Sequence, residues 1–361
     1  MIPRGPSDIT RDWLAAVLCT DAIRGVAVSP VGTGQTGATY RVSVTYAREA
    51  GLPESFVVKL AAQDPEVRAR VVLGYRSEVE FYHDVAETLR LPTPRCFHCD
   101  ISESAEDFVL VLSDMAPAVQ GDQIAGCTRA EAELAVRALA GLHGPRWCDP
   151  AWLDFSATAM PKPGDEAAAA GLGDAAKLAA DITVEKLGAA MSAADRSTVV
   201  EAASLIAPWL SLEPKRFSLL HGDYRLDNML FDPDRTRITV VDWQTLAVGL
   251  PARDVAYFTA TSLIPQLRAQ VEKELVDAYH RDLLSYGVTD YDRDTCRRDY
   301  RLGMLQAPLI STLGLAFAAS TERGDEMVLT MLERGCQAIR ELGTLELVGQ
   351  MRERGDRGRA G

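Results

Sequence analysis

The sequence predicts an α+β protein in two lobes, and two observations predict it. Short, β-branched, partly alternating segments are concentrated before residue 113, whereas beyond Thr128 nearly every segment has helical spacing. Strands segregated from helices in this way indicate α+β architecture; an alternating βα sheet would interleave them. The chain of 361 residues is long enough for one two-lobed domain with a full-sized core. The expected division is a strand-rich N-terminal lobe at 1–112, a hinge at 113–118 and a mostly helical C-terminal lobe at 119–361.

Taken in order, "SDITRDWLAAVL" offers Ser7 or Asp8 as an N-cap, followed by helical spacing at Ile9, Trp13 and Leu14. After Gly25, "VAVSPV", "YRVSVTY" and "SFVVKL" read as strands joined by hairpins. The pattern turns helical from Asp64 to Arg90, and "EDFVLVLSDM" is a further buried strand. In the second lobe "FSLLHGD", "NMLFD" and "ITVVDW" interrupt the helices. Residues 155–190 are rich in Ala, Gly and Pro and weakly amphipathic, which fits a mobile insertion or plain surface helix, with plain helix the favoured expectation.

Bulk properties exclude several function classes. Hydrophobic residues at 47% and charged residues at 25% fit a globular protein and argue against general disorder. A net charge of -13 argues against nucleic acid or an anionic membrane as the main partner, because both need clustered positive charge. The 7 cysteines form no disulfide framework, and the C-x-x-C of Cys96 and Cys99 lacks a second pair at zinc spacing, so it reads as structural. No signal-peptide layout and no run of membrane-spanning length occurs, which predicts a soluble, cytoplasmic protein.

Four pieces carry chemistry. "GTGQTG" at 32–37 fits G-x-G-x-x-G through Gly32, Gly34 and Gly37, but a strand, "ATYRVSVTY", follows it where a dinucleotide fold would place a helix. A glycine turn between antiparallel strands lets backbone N–H groups approach phosphate, and it also serves as a simple hairpin; this stretch alone leaves both open. Lys59 in "FVVKL" is the first lysine of a chain that strongly prefers Arg, and an ammonium in an apolar strand needs a counter-charge. The helical face Val71, Tyr75, Glu78, Tyr82, Val85, Leu89 carries one charge, Glu78, which predicts an inward carboxylate paired with Lys59.

The fourth piece is "HGDYRLDNML" with "ITVVDWQ" after it. His221, Asp223 and Asn228 satisfy H-x-D-x-x-x-x-N, and Asp242 closes a β-branched run downstream. Phosphoryl transfer needs hard oxygen ligands for a divalent metal, which Asn228 and Asp242 can supply, and a base for a hydroxyl proton, for which Asp223 is placed. His221 reads as a loop-bracing residue.

With these residues in view, the sequence resembles the aminoglycoside phosphotransferase and choline kinase branch of the protein-kinase-like superfamily. "LLHGDYRLDNMLF" followed by "VVDWQTLAVGLPARDVAYF" carries the resemblance, and "LAGLHG", ending at His143, is also similar to that branch. It spans roughly residues 25–260, and the C-terminal hundred or so residues carry no matched motif. The resemblance implies a two-lobed protein-kinase-like fold and an ATP-dependent (or GTP-dependent) kinase acting on a small hydroxylated molecule. It makes Asp223 the base, Asn228 and Asp242 the Mg2+ ligands, and Lys59, paired to Glu78, the phosphate contact. Ser113 and Met115 would lie in the hinge whose backbone meets adenine, and Asp254 looks like a structural Asp bracing the catalytic loop. Two departures stand out: Ala-Thr follows the glycine loop where protein kinases carry a Val at the second position, and no A-P-E segment follows Asp242, which argues against a protein substrate.

Three rival readings fit the sequence less well. A metal-dependent phosphohydrolase would need more clustered His, and a serine hydrolase would need G-x-S-x-G; neither occurs. A catalytically silent, kinase-like nucleotide-binding or interaction module would be marked by loss of Lys59, Asp223, Asn228 or Asp242, and all four are present. Aminoglycosides, macrolides, sterol-like alcohols, sugars and amino alcohols stay open as acceptors, because one sequence gives no code for them.

Overall fold

The computed structural model describes residues 2–32, 37–317 and 321–359. Its first helix, α1 (Arg11–Val17), starts at Thr10, whose hydroxyl accepts the Trp13 N–H. The caps expected at Ser7 or Asp8 belong instead to a short 3-10 turn, where the Asp8 carboxylate accepts the N–H groups of Arg4 and Gly5.

Five antiparallel strands follow: β1 (Ile23–Pro30), β2 (Gly37–Tyr46), β3 (Ser55–Ala61), β4 (Cys96–Ile101) and β5 (Phe108–Ser113), in the order β1-β2-β3-β5-β4. Between β3 and β4 run α2 (Pro65–Arg70) and α3 (Val72–Glu80). The period of two divides β3 cleanly. Phe56, Val58 and Leu60 pack with Val42, Val44, Val109, Val111, Ile9 and Leu14 in one apolar cluster. Each such buried side chain contributes roughly 1.5–3 kcal/mol. Lys59 points to the other face, whose row continues to Leu110 on β5 and Cys99 on β4. That face meets α3, where Tyr75 stacks on Phe108 with centroids 4.4 Å apart.

Strand β4 was not anticipated. Its register shifts between Cys96 and His98, so that Cys96 and Cys99 oppose Leu112 and Leu110 and share a face. Both thiols are free. The helical run expected from Asp64 to Arg90 is also broken, since α3 passes into a π turn at Phe81–Val85 and a 3-10 turn at Ala86–Thr88. The π turn brings Phe81 onto Trp243, ring planes 7° apart and centroids 3.7 Å apart. Such a stack adds about 0.5–1.5 kcal/mol beyond its buried area.

The chain separates into two compact units. The first comprises the described residues up to Thr88, Pro92–Ala118 and Thr239–Gln244; the second comprises Leu89–Leu91, Val119–Ile238 and the described residues from Thr245 onward. The second unit opens with β6 (Val119–Gln120), which pairs with a later strand, and α4 (Arg129–His143), whose first turn is closed by a reciprocal Thr128–Glu131 capping box. Then come α5 (Ala151–Asp154), α6 (Glu166–Leu187) and α7 (Ala193–Leu210). The segment expected to be plain helix is largely α6, which lays small residues such as Ala169, Ala176 and Ala180 against its neighbours.

Short strands accompany the motif region in this unit, β7 (Ser218–Leu220), β8 (Met229–Phe231) and β10 (Ala247–Gly249), while β9 (Ile238–Val240) runs into the Thr239–Gln244 segment of the first. β8 is the partner of β6, and β10 pairs antiparallel with β7. Helices α8 (Ala252–Ser262), α9 (Pro265–Ser285), α10 (Arg293–Gly303), α11 (Gln306–Phe317), α12 (Glu322–Leu342) and α13 (Thr344–Arg359) complete the unit. Ala180, Val199, Ala203, Leu315, Val328 and Leu332 from α6, α7, α11 and α12 form one of its apolar clusters. Among the described residues no helix is long and apolar enough to cross a membrane.

Candidate active site

In the first unit β3 and α3 place one cation between two anions. Lys59 Nζ lies 2.9 Å from Glu78 Oε1 and 2.7 Å from Oε2, and 3.6 Å from Asp242 Oδ1. Exposure grades across the cluster: side-chain values are 2% for Glu78, 14% for Lys59 and 40% for Asp242. The buried end is therefore a fixed ion pair and the open end a carboxylate facing water. Burial pulls the Lys59 ammonium towards neutrality, but Asp242 and Glu78 more than offset it and raise its pKa. Burial pushes the Glu78 carboxyl up; Lys59 pulls it down, and Asp242 adds to the upward shift. With all three groups ionised the cluster carries one net negative charge, a local preference for a further cation.

Asp242 occupies the left-handed region at φ +67°. Asp tolerates this conformation better than most residues, and its appearance at the end of a strand turns the chain sharply. Gln244, two residues on, is buried and donates from Nε2 to Glu78 Oε2 at 3.2 Å.

The segment containing Ser113 and Met115 leaves β5 in the same unit. Ser113 N–H donates to Arg95 O at 2.9 Å, and Met115 O accepts the Ala118 N–H at 2.8 Å. Asp114 between them accepts from Arg41 at 2.7 Å and from the Ser55 hydroxyl at 2.6 Å, which ties the segment to β2 and β3. Met115 O has a second lone pair available in principle, as any carbonyl does. Of the three glycines, Gly32 has φ +79° and Gly37 opens β2; Gly34 lies outside the described residues.

In the second unit the loop between β7 and β8 holds the remaining predicted residues. Gly222 sits at φ +84°, and a Cβ there would lie 2.0 Å from Thr245 O, so no other residue fits. Asp254, at the start of α8 and fully buried, accepts the His221 N–H at 2.7 Å and the Gly222 N–H at 3.1 Å. His143 Nε2 approaches the same carboxylate at 3.3 Å while its Nδ1 meets Tyr279 Oη at 2.8 Å. The buried His221 ring packs edge-on against Tyr224.

Asp223 follows this braced turn. Its Oδ1 accepts the Tyr257 hydroxyl at 2.6 Å; its Oδ2 accepts Arg225 Nε at 2.9 Å and Asn228 Nδ2 at 3.2 Å. A carboxylate offers about four acceptor positions, so roughly one remains for an incoming hydroxyl. Asn228 Nδ2 also donates to Asp223 O at 2.8 Å, which commits the amide nitrogen and leaves the carboxamide oxygen as the acceptor atom of the side chain. Burial, with Asp223 close by, holds the Tyr257 hydroxyl far above its ordinary pKa, so it stays a donor. Arg225 also pairs with Asp227 at 3.0 Å, a local bridge within the loop.

Two residues of this geometry escaped the sequence reading. Tyr257 stands three positions after Asp254, one helical turn on, a spacing that could have pointed to it once Asp254 was placed. Gln244 had no comparable signal, because its partner Glu78 is 166 residues away.

The model of the phosphotransferase enzyme family matches residues 27–293, well over half of the chain. Among solved structures, a Ralstonia eutropha protein provisionally assigned as an aminoglycoside phosphotransferase is 18% identical, with a TM-score of 0.54 over 91% of this chain and 98% of its own. A microcompartment-associated aminopropanol kinase is 17% identical, with a TM-score of 0.51 over 93% of this chain and 98% of its own. At such identities the likeness shows the fold, which is α+β and protein-kinase-like. The curated relatives match over short stretches: acyl-CoA dehydrogenase family member 10 of Mus musculus is 38% identical over 77 residues, 20% of this chain and 7% of the relative. Family member 11 of Homo sapiens is 46% identical over 43 residues, 12% of this chain and 6% of the relative. The chain thus spans less than a tenth of those relatives' length.

Proposed function

The chain belongs to the phosphotransferase enzyme family, and from that premise we propose that it moves the γ-phosphate of ATP, or of GTP, to a hydroxyl of a small molecule. The observation that carries this reading is Lys59, held by the buried Glu78 and drawn towards the half-open Asp242. A fixed ammonium beside an exposed carboxylate is suited to polyphosphate, because the ammonium meets the phosphate oxygens and the carboxylate meets their counter-cation.

Each of the two proposed ligands, taken by itself, suits magnesium: Asp242 has a carboxylate and Asn228 a carboxamide oxygen, and Mg2+ takes one or two such ligands alongside phosphate oxygens and waters. When bound, the ion would neutralise charge on the phosphate oxygens. The chain's own residues do the rest. Lys59, kept in place by Glu78, orients the phosphates, and the segment at Ser113 and Met115 would take the base. Asp223 directs the acceptor hydroxyl and accepts its proton, while Tyr257, Arg225 and Asn228 hold its carboxylate still. Asp254 and His143 keep the loop carrying Asp223 from shifting.

Amino alcohols and aminoglycosides, for which the neighbours are named, are the acceptors to try first. The reading is tested by thermal stabilisation with ATP and GTP, with and without magnesium, on the wild type and Asp242→Asn. Phosphate transfer from labelled ATP to a panel of amino alcohols and aminoglycosides follows. Magnesium-dependent stabilisation that Asp242→Asn abolishes, together with transfer to a panel member, supports it. Stabilisation with no transfer to any acceptor or to water would favour a silent nucleotide-binding module.

A further inference from the structure

We propose that Gln306 is a positioning residue for phosphate transfer: its carboxamide holds the carbonyl of Gly222 and so sets the direction in which Asp223 leaves the loop. The inference rests on the transfer reading above and adds a residue to it, from the C-terminal stretch that carries no matched motif.

The turn before Asp223 is pinned group by group. Asp254 accepts the His221 and Gly222 N–H groups, and the Thr245 hydroxyl donates to His221 O at 2.9 Å. Gln306 Nε2 donates to Gly222 O at 3.0 Å. That carbonyl belongs to the peptide plane joining Gly222 to Asp223, so holding it limits ψ of Gly222 and φ of Asp223 together. Those two torsions aim the Asp223 Cβ. Gly222, at φ +84°, has no side chain of its own to narrow them, so the restraint comes from outside the loop.

For packing alone Gln306 is a costly choice. It is fully buried, and its Oε1 has no hydrogen-bond partner among the described residues. An unpartnered buried oxygen is unfavourable, and a methionine of the same length would fill the space without one. What the carboxamide adds is the donor to Gly222 O; the same Nε2 lies 3.9 Å from Met160 Sδ, a weak acceptor. The helices around it deliver Gln306 to this place. Helix α10 lies against α8 at Gly303, where a Cβ would stand 2.7 Å from Ala252 O and 2.8 Å from Ala256 Cβ. Trp209 Nε1 donates to Leu302 O at 2.7 Å. With the end of α10 fixed there, α11 starts at Gln306 beside the loop that α8 braces through Asp254 and Tyr257.

The test measures phosphate transfer from MgATP to the acceptor panel above or to water, with MgATP affinity by calorimetry and the melting temperature alongside. The variants are Gln306→Met, Gln306→Glu and Gln306→Met combined with Asp223→Asn. In Gln306→Met transfer should fall about tenfold while MgATP affinity stays unchanged. Its melting temperature should stay close to wild type, because the variant leaves Gly222 O without this donor but also removes the unpartnered oxygen. In the Asp223→Asn background, Gln306→Met should lower transfer no further, since its effect runs through that carboxylate. In Gln306→Glu the new carboxyl can donate to Gly222 O only while protonated, so transfer relative to wild type should fall as pH rises. Wild-type transfer in Gln306→Met, a loss of MgATP affinity as large as the loss of transfer, or an equal fall with and without Asp223 would overturn the proposal. Should Gln306→Met fail to fold, Gln306→Glu decides: transfer relative to wild type that does not change with pH refutes it. A wild type that transfers no phosphate refutes the underlying reading instead, and with it this inference.

Discussion

The two units carry their chemical groups in opposite ways. In the first, Lys59, Glu78 and Asp242 are held by ion-pair contacts graded from buried to exposed, with one amine shared between two carboxyl groups. In the second, Asp223 is held by hydrogen bonds and its loop by backbone: Tyr257, Arg225 and Asn228 donate to its carboxylate, and Asp254 collects the N–H groups of the turn before it. A site that must bind and release a polyphosphate needs partners that can exchange. A site that must present one oxygen to one hydroxyl needs partners that do not move. The difference predicts that mutations in the first unit act on nucleotide binding, and that mutations at Asp223 act on transfer and spare nucleotide binding.

The largest effect should come from Asp223→Asn. Phosphate transfer is expected to fall by about 10²–10⁴-fold, and the melting temperature to drop because an Asn NH2 must face one of the donors that the carboxylate now accepts, while MgATP affinity stays close to wild type; loss of nucleotide binding in this variant would break the division. Next is Lys59→Met, which leaves Glu78 buried without its cation. Chemical denaturation should show a loss of about 3 kcal/mol, and nucleotide binding should disappear. Adding Glu78→Met should restore much of the stability but none of the binding, which separates the pair's structural role from its role towards phosphate.

Asp254→Asn comes third. A carboxamide must turn its NH2 towards one of the two N–H groups that the carboxylate now accepts, so about 2 kcal/mol should be lost. Transfer should drop more than MgATP affinity, because the loop that shifts carries Asp223. The smallest effect concerns the cysteines, where the first unit's habit of tuning one charge with another recurs. The Cys96 thiol, by hydrogen bonding to Cys99, brings the Cys99 pKa down to about 7. Cys96 itself is pushed well up, first by that same bond and then by burial. A group whose pKa is lowered is charged above it, so iodoacetamide should alkylate Cys99 with a midpoint near pH 7, mapped by peptide mass spectrometry, and leave Cys96 largely unmodified.

How much of this was legible differs between the units for a physical reason. The Lys59–Glu78 contact could be read because each residue violates a local pattern, a lysine in an apolar strand and a carboxylate on an apolar helix face. The catalytic-loop residues were legible because they lie within eight positions of one another. Strand β4 was not, since "CFHCDI" alternates poorly and its bulge hides the face that Cys96 and Cys99 share. The π turn was invisible as well. Phe81 falls off the stripe through Glu78 and Tyr82, and it is buried because Trp243, far along the chain, stacks on it. Tyr257 and Gln244 belong to the same class, because each takes its role from a partner that only the fold brings near.

On the proposed function, the first unit binds the nucleotide through Lys59 and Asp242, while Asp223 acts only in transfer. Calorimetric titration of ATP, with and without magnesium, into the wild type, Asp223→Asn and Asp242→Asn tests it most directly. Equal magnesium-dependent affinities are expected for the wild type and Asp223→Asn, with loss of the magnesium dependence in Asp242→Asn. No binding by the wild type at millimolar ATP, or an unchanged magnesium dependence in Asp242→Asn, would contradict it.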